Sequence, residues 1–267
     1  MRLPDLIDTH CHLDLAPLAE SLDAVLARAR AAGVRQCISI GTSVEASRVN
    51  VALAHQHPMV RAAVGVHPHD ADAVTEAMLS DIEELAQDPA VVAIGEVGLD
   101  FYRNTASREG QERAFIGFLR MAQRRGLPIL IHCRNAYDAL LELLQREGAV
   151  PVRGLLHCAS GPPAYIESAL ARGFHVSFAG NVTFPNAQPL RDLVPLVPDD
   201  QLLIETDAPF LAPQPVRGQP NEPAHVRHTA ALLAELRGTT LEALGALTSR
   251  NARRLFHLPE PDGVVMG

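Results

Sequence analysis

The chain contains no lysine: all 23 of its basic residues are arginine. That absence excludes a lysine Schiff base, and it excludes a carboxylated lysine bridging two metal ions. Any bridging anion must come from aspartate or glutamate. No apolar run approaches the ~18 residues of a membrane-spanning helix, so no membrane association is expected. The first residues lack a basic segment followed by an apolar stretch, so a secretory signal is not expected either. The four cysteines lack the C-x2-C spacing of a thiolate metal site. The lack of a disulfide framework fits a reducing, cytoplasmic setting. Net charge is −8, so no global positive field gathers nucleic acid. No linker, low-complexity tract or short-period repeat divides the chain, and residues 1–267 are expected to form a single domain. Nothing in the sequence points to a protein partner.

What is present is an alternation. Short apolar, strand-like runs lie at Leu6–His12, Gln36–Gly41, Val60–His67, Val91–Gly98, Pro128–Cys133, Gly154–Cys158, Phe174–Gly180 and Leu202–Asp207. Between them, Leu22–Ala32, Val44–His55, Met78–Ala86, Gln111–Arg125, Ala136–Glu147, Ala164–Arg172 and Ala187–Leu193 have helical period. Pro223–Arg237 and Leu241–Leu255 read as two closing helices. Eight strands alternating with helices predict an α/β chain folded as a TIM-type (β/α)8 barrel. A doubly wound open sheet is the alternative, but it would not gather residues from the first, fourth, fifth, sixth and eighth strands around one point.

Residues that bind metals recur at the ends of these runs. His10 and His12 are two apart, and residues at i and i+2 share one face of a strand. Glu96 stands in Ile94-Gly95-Glu96-Val97-Gly98, where small neighbours permit close approach of backbone and ligand. His132, His157 and Asp207 close the fifth, sixth and eighth runs. All lie at C-terminal strand ends, where barrel enzymes carry catalysis. Four histidines and two carboxylates suffice for two divalent ions with a bridging carboxylate. Ions ~3.5–4 Å apart stabilise both the attacking and the leaving oxygen of a phosphodiester. Cys11, Cys133 and Cys158 each adjoin a histidine and should point the other way, as small hydrophobes under the helices.

Together, Ile7-Asp8-Thr9-His10-Cys11-His12, Gly65-Val66-His67-Pro68-His69, Gly95-Glu96-Val97-Gly98-Leu99-Asp100-Phe101-Tyr102, Ile131-His132-Cys133-Arg134 and Ile204-Glu205-Thr206-Asp207-Ala208-Pro209 resemble the TatD-type metal-dependent deoxyribonuclease family. Asn221-Glu222-Pro223 and Asn251-Ala252-Arg253-Arg254-Leu255-Phe256 extend the match over nearly the whole chain. The resemblance implies a TIM-type barrel and divalent-metal-dependent hydrolysis of phosphodiester bonds in DNA, as an exonuclease. It implies metal ligation by His10, His12, Glu96, His132, His157 and Asp207, with Glu96 shared between two ions. It allows Mg2+, while histidine-rich ligation suits Zn2+, Mn2+ and Fe2+. Three departures stand out. Members often show His-Ser-Phe-Ser-Gly where this chain has His157-Cys158-Ala159-Ser160-Gly161, without the aromatic. Gln219-Pro220 replaces a common basic residue before Asn221, and Pro185 replaces a common lysine. The ligands are all retained, so the departures bear on how substrate is gripped.

Further roles follow from charge and position. Asp207 ends the last strand beside the attacking water and is a candidate general base or water-orienting group, or a ligand only. Asp8 and Glu205, one layer deeper on the faces of His10 and Asp207, are candidates for orienting imidazoles; Asp8 fits a buried polar layer equally well. His67 is placed to hydrogen-bond a phosphate oxygen, and His69 reads as a solvated loop residue. Arg134 can pair with phosphate through its planar fork. Tyr102 and Phe101 can stack on bases of single-stranded ends, Phe101 equally packing under its loop. Arg103 and Arg217 are loop candidates or plain solvated charge. A strand end, single-stranded or 3′, can enter a barrel mouth that a rigid duplex cannot. The alternatives are a small-molecule amidohydrolase or lactonase, and a binding module without catalysis; fold alone decides among none of them.

Overall fold

Parallel strands covered on both faces need near-continuous apolar sequence, and the eight runs supply it. The structure, a computed structural model, describes residues 4–103, 105–147 and 152–259. The strands are β1 (Leu6–Cys11), β2 (Val34–Ile40), β3 (Val60–Val64), β4 (Val91–Asp100), β5 (Ile129–Arg134), β6 (Gly154–Leu156), β7 (His175–Phe178) and β8 (Leu202–Ile204). Each pairs in parallel with the next, in chain order. The ring closes through a parallel bridge between Cys11 and Ala208. At that seam the His12 N–H donates to Ala208 O at 2.7 Å and the Asp207 N–H to His10 O at 2.8 Å. Thr9 Oγ1 adds a bond to Ile204 O at 3.0 Å. The fold is the TIM-type barrel, and the open sheet is excluded by this closure.

The helices are α1 (Leu22–Ala31), α2 (Val44–Gln56), α3 (Glu76–Leu85), α4 (Arg108–Arg125), α5 (Tyr137–Arg146), α6 (Pro163–Ala171), α7 (Gln188–Arg191), α8 (Val226–Leu236) and α9 (Leu241–Phe256). Hydroxyl caps fix several starts: Ser43, Thr75, Ser107 and Thr240 each accept a hydrogen bond from the backbone N–H three residues on, which satisfies an otherwise orphaned donor. The seventh segment, expected over 187–193, yields only the short α7, and Val194–Leu196 forms a separate 3-10 turn. Among the described residues no helix is long and apolar enough to cross a membrane.

Two apolar layers hold the barrel. The larger lies between strands and helices and includes Cys11, Cys37, Ile94, Val97 and Leu99 with Phe115 and Phe118 of α4. The smaller includes Ile7, Ile38, Ile40, Ala63, Leu130, Leu155 and Leu203 with Leu255 and Phe256 of α9. Ile7 and Cys11 therefore belong to different layers although four residues apart. Strict alternation would put them on one face. The register shift between Asp8 and Cys11 resolves this: β1 changes phase there. Another shift falls between Ile94 and Val97, beside Glu96. The glycines near Glu96 serve a neighbouring strand, not a ligand. A Cβ on Gly98, whose φ is +145°, would lie 2.0 Å from the His132 carbonyl oxygen, and one on Gly95 2.5 Å from Leu130 Cβ.

Candidate metal centre

The C-terminal strand ends converge as the sequence suggests. A cavity of roughly 340 Å³ opens there, lined by His12, His67, His69, Glu96, His132, His157, Asp207 and Phe210, among others. Glu96 is its centre and is almost wholly buried. Its Oε1 lies 2.9 Å from His132 Nδ1, 2.9 Å from His157 Nε2 and 3.5 Å from His67 Nε2. Its Oε2 lies 3.4 Å from His10 Nε2 and 3.9 Å from His12 Nε2. Asp207 Oδ1 faces the same two rings, at 3.6 Å and 3.4 Å. The two oxygens of one carboxylate thus address two different sets of imidazoles.

Charge at the site follows from burial and contact. Burial alone would push the Glu96 carboxyl up, but His157, His67 and His10 overcome it and hold Glu96 well below the usual carboxylate range. Burial opposes protonation of His157, yet Glu96 and Glu205 raise it well above an ordinary histidine. His132 is raised against its burial by Asp100 and Glu96. His10 and His67 are lowered, chiefly by burial. Asp207 is held down against its burial by His12 and His10.

Outer contacts set these rings. Glu205 Oε1 lies 3.3 Å from His157 Nδ1 and accepts the Cys158 N–H at 2.8 Å; Oε2 accepts from Ser177 Oγ. Of the two readings the sequence leaves open for Asp8, its contacts are those of a buried polar layer rather than of an imidazole-orienting group. Its Oδ1 accepts the backbone N–H of Thr206 at 2.9 Å and of His10 at 3.3 Å, and Oδ2 accepts Thr206 Oγ1. The phase change in β1 turns it to the β1–β8 seam, where burial pushes its carboxyl up to about 8.

Two residues given no site role in the sequence reading stand here. Asp100 Oδ2 lies 3.1 Å from His132 Nε2 and 3.0 Å from His69 Nε2, while Oδ1 accepts the N–H groups of Tyr102 and Arg103. His69, its side chain 34% exposed, is thus also a cavity residue tied to Asp100, because the 3-10 turn Pro68–Ala73 folds it back over His67. The signal for Asp100 was its position four residues after Glu96 on one strand. Phe210, on the loop after β8, carried none.

Of the other candidates, the Arg134 guanidinium stacks on the Tyr102 ring 3.9 Å from its centroid. Phe101 packs against the core under Arg108, and Arg217 covers Phe184. Asn221 holds the loop after β8, donating to Thr206 O at 2.9 Å and Phe210 O at 2.6 Å. Glu222 pairs with Arg28 of α1. All four cysteines are free thiols. Burial pushes Cys133 up to about 12 and Cys11 and Cys158 well above the usual thiol range, so they are inert neighbours.

The donors fit a divalent ion. Among the described residues neither ring nitrogen of His10 has a hydrogen-bond partner, nor does His12 Nδ1, though all are buried; buried polar atoms rarely go unsatisfied. His10–His12–Glu96 and His67–Glu96–His132 each place ligand atoms within 4.8 Å of one another and share Glu96. Two donors about 2.1 Å from one tetrahedral ion lie roughly 3.4 Å apart, close to the spacing of His10, His12, Glu96 and Asp207.

Residues 7–257 match the profile of the family described as TatD related DNase. The chain is 38% identical over 253 residues to the uncharacterized metal-dependent hydrolase YabD of Bacillus subtilis (strain 168), covering 95% of this chain and 99% of YabD. It is 38% identical over 256 residues to a 3′-5′ ssDNA/RNA exonuclease TatD of Escherichia fergusonii, covering 94% and 98%. The crystal structure of YJJV, a TatD homologue from Escherichia coli K12, superposes with a TM-score of 0.90 at 32% identity, covering 95% of this chain and 98% of that one. A barrel with clustered histidines and acids at its mouth, matched over almost its full length, places the chain in the TatD-related DNase family of metal-dependent hydrolases.

Proposed function

We propose that this hydrolase is a deoxyribonuclease that removes nucleotides from single-stranded or 3′ ends of DNA, using two divalent ions (Mg2+, Mn2+ or Zn2+). One observation carries the reading: Glu96 presents one oxygen to His132, His157 and His67 and the other to His10 and His12. A carboxylate between two donor sets is what a shared pair of ions requires. In this reading His10, His12 and Asp207 would hold one ion, His132 and His157 the other, and Glu96 would contribute to both.

The bound ions supply positive charge that neutralises the phosphodiester, acidifies water and stabilises the leaving oxygen. The chain's own residues do the rest. Asp207, whose side chain is 16% exposed at the cavity, accepts the proton of the attacking water. His67 Nε2 hydrogen-bonds a phosphate oxygen. Arg134 binds a neighbouring phosphate through its fork, its plane held by Tyr102. Glu205 and Asp100 keep His157 and His132 in place. The name carried by the Escherichia fergusonii relative supports the substrate class.

End-labelled single- and double-stranded DNA and single-stranded RNA, incubated with each metal or with chelator, test the reading. Shortening of single strands from the 3′ end, lost in chelator, is expected. No shortening with any metal, or internal cuts alone, would overturn it.

A further inference from the structure

Among the described residues the exposed large hydrophobics are Val49, Tyr102, Phe210 and Leu236. Two of them follow strand ends at the mouth: Tyr102 is 55% exposed and Phe210 52% exposed. Tyr102 follows β4 and Phe210 follows β8. In a closed ring of eight strands in chain order, these strands stand diametrically opposite. Phe210 lines the cavity around Glu96, and Tyr102 joins the cluster through Asp100, which contacts His132.

Both aromatics are held by the site itself. The Phe210 N–H donates to Asp207 O at 2.9 Å, its carbonyl accepts from Asn221, and its ring stands edge-on to His12 at 6.0 Å. The Tyr102 N–H donates to Asp100 at 2.9 Å, and one face of its ring carries Arg134. Each backbone is tied to an acidic residue of the site, Phe210 through the Asp207 main-chain carbonyl and Tyr102 through the Asp100 carboxylate, while each ring remains open to solvent.

Resting on the nuclease reading above, we infer that Phe210 and Tyr102 are opposed stacking platforms: the strand lies across the mouth from the β8 loop to the β4 loop, with a base on each aromatic and the scissile phosphate over Glu96 between them. Every base has a π-face, so such platforms accept any sequence. Paired bases in a duplex cannot offer those faces, so the arrangement selects unpaired ends. Arg134 behind Tyr102 marks that side as the one that also grips phosphate.

The test is steady-state cleavage of short single-stranded oligonucleotides by the metal-loaded enzyme and its Phe210→Ala, Phe210→Leu, Phe210→Trp and Tyr102→Ala variants, each checked by thermal melting. A matched set carries an abasic residue beside the scissile phosphate. Val49→Ala, on α2, serves as control. Phe210→Ala, Phe210→Leu and Tyr102→Ala should each raise KM by roughly five- to hundredfold, the range of base–aromatic stacking, with kcat nearly kept. Phe210→Trp should restore KM. The abasic substrate should raise KM for the parent enzyme and remove the further penalty of the variants. If the parent cleaves single strands while the alanine variants keep KM within about twofold, or lose equally on intact and abasic substrate, the inference is overturned and the nuclease reading stands. If the parent cleaves no oligonucleotide with any metal, both fall.

Discussion

Glu205 Oε1 lies 3.3 Å from His157 Nδ1, on the side of the ring opposite the Nε2 that faces Glu96. A buried carboxylate on one imidazole nitrogen fixes which nitrogen is offered at the other end. Glu205→Gln keeps the shape but removes the charge. It should lower metal affinity roughly 10–100-fold, with the fold retained. Calorimetric titration with Mn2+ or Zn2+ checks this; unchanged affinity would show that Glu205 serves only Ser177 and the Cys158 N–H.

Much of this was legible in the sequence, for a physical reason. Candidate ligands at the ends of buried parallel strands sit inside short apolar motifs that mark where each strand ends. His10, Glu96, His132, His157 and Asp207 converge because eight such ends meet at one mouth. What eluded sequence reading depends on irregular backbone. Which of its two readings suits Asp8, imidazole-orienting group or buried polar layer, turns on the phase change of β1 beside it. His69 joins the cavity because a 3-10 turn folds it back. The stacking of Arg134 on Tyr102 follows from the β4–β5 register, in which Asp100 pairs with Arg134, and spacing along the chain does not reveal it.

His175, at the start of β7 and far from the site's strand ends, is buried. Burial, with Arg254 nearby, lowers its pKa from 6.5 to about 4. The unfolded chain therefore binds a proton below 6.5 that the native chain refuses until about 4. The stabilising effect is complete above the unfolded value and is lost as pH falls through this window. Between about pH 7.5 and about pH 4.5 the parent should lose roughly 2–3 kcal/mol more stability than His175→Gln. Urea denaturation at both pH values measures it; parallel losses would contradict it.

An acidic chain without lysine cannot follow a long duplex through a basic groove. Binding should rest on the metals and a few arginines, with Arg134 foremost. Few phosphate contacts release few counterions, so log affinity should fall shallowly with log salt. A non-hydrolysable phosphorothioate oligonucleotide, titrated across a salt series, gives the slope. A slope typical of ~6–10 phosphate contacts, or tighter binding to blunt duplex than to single strands, would contradict this picture.

The claim on which the rest depends is that Glu96 joins two ions. Metal content per chain at saturation, measured for the parent, Glu96→Gln and His67→Ala, tests it most directly. The parent should hold two ions per chain. Glu96→Gln should lose at least one of them and most of its activity, because a bridging anion balances both charges. His67→Ala should keep both and lose less activity. One ion in the saturated parent, or full occupancy and undiminished affinity in Glu96→Gln, would contradict the assignment.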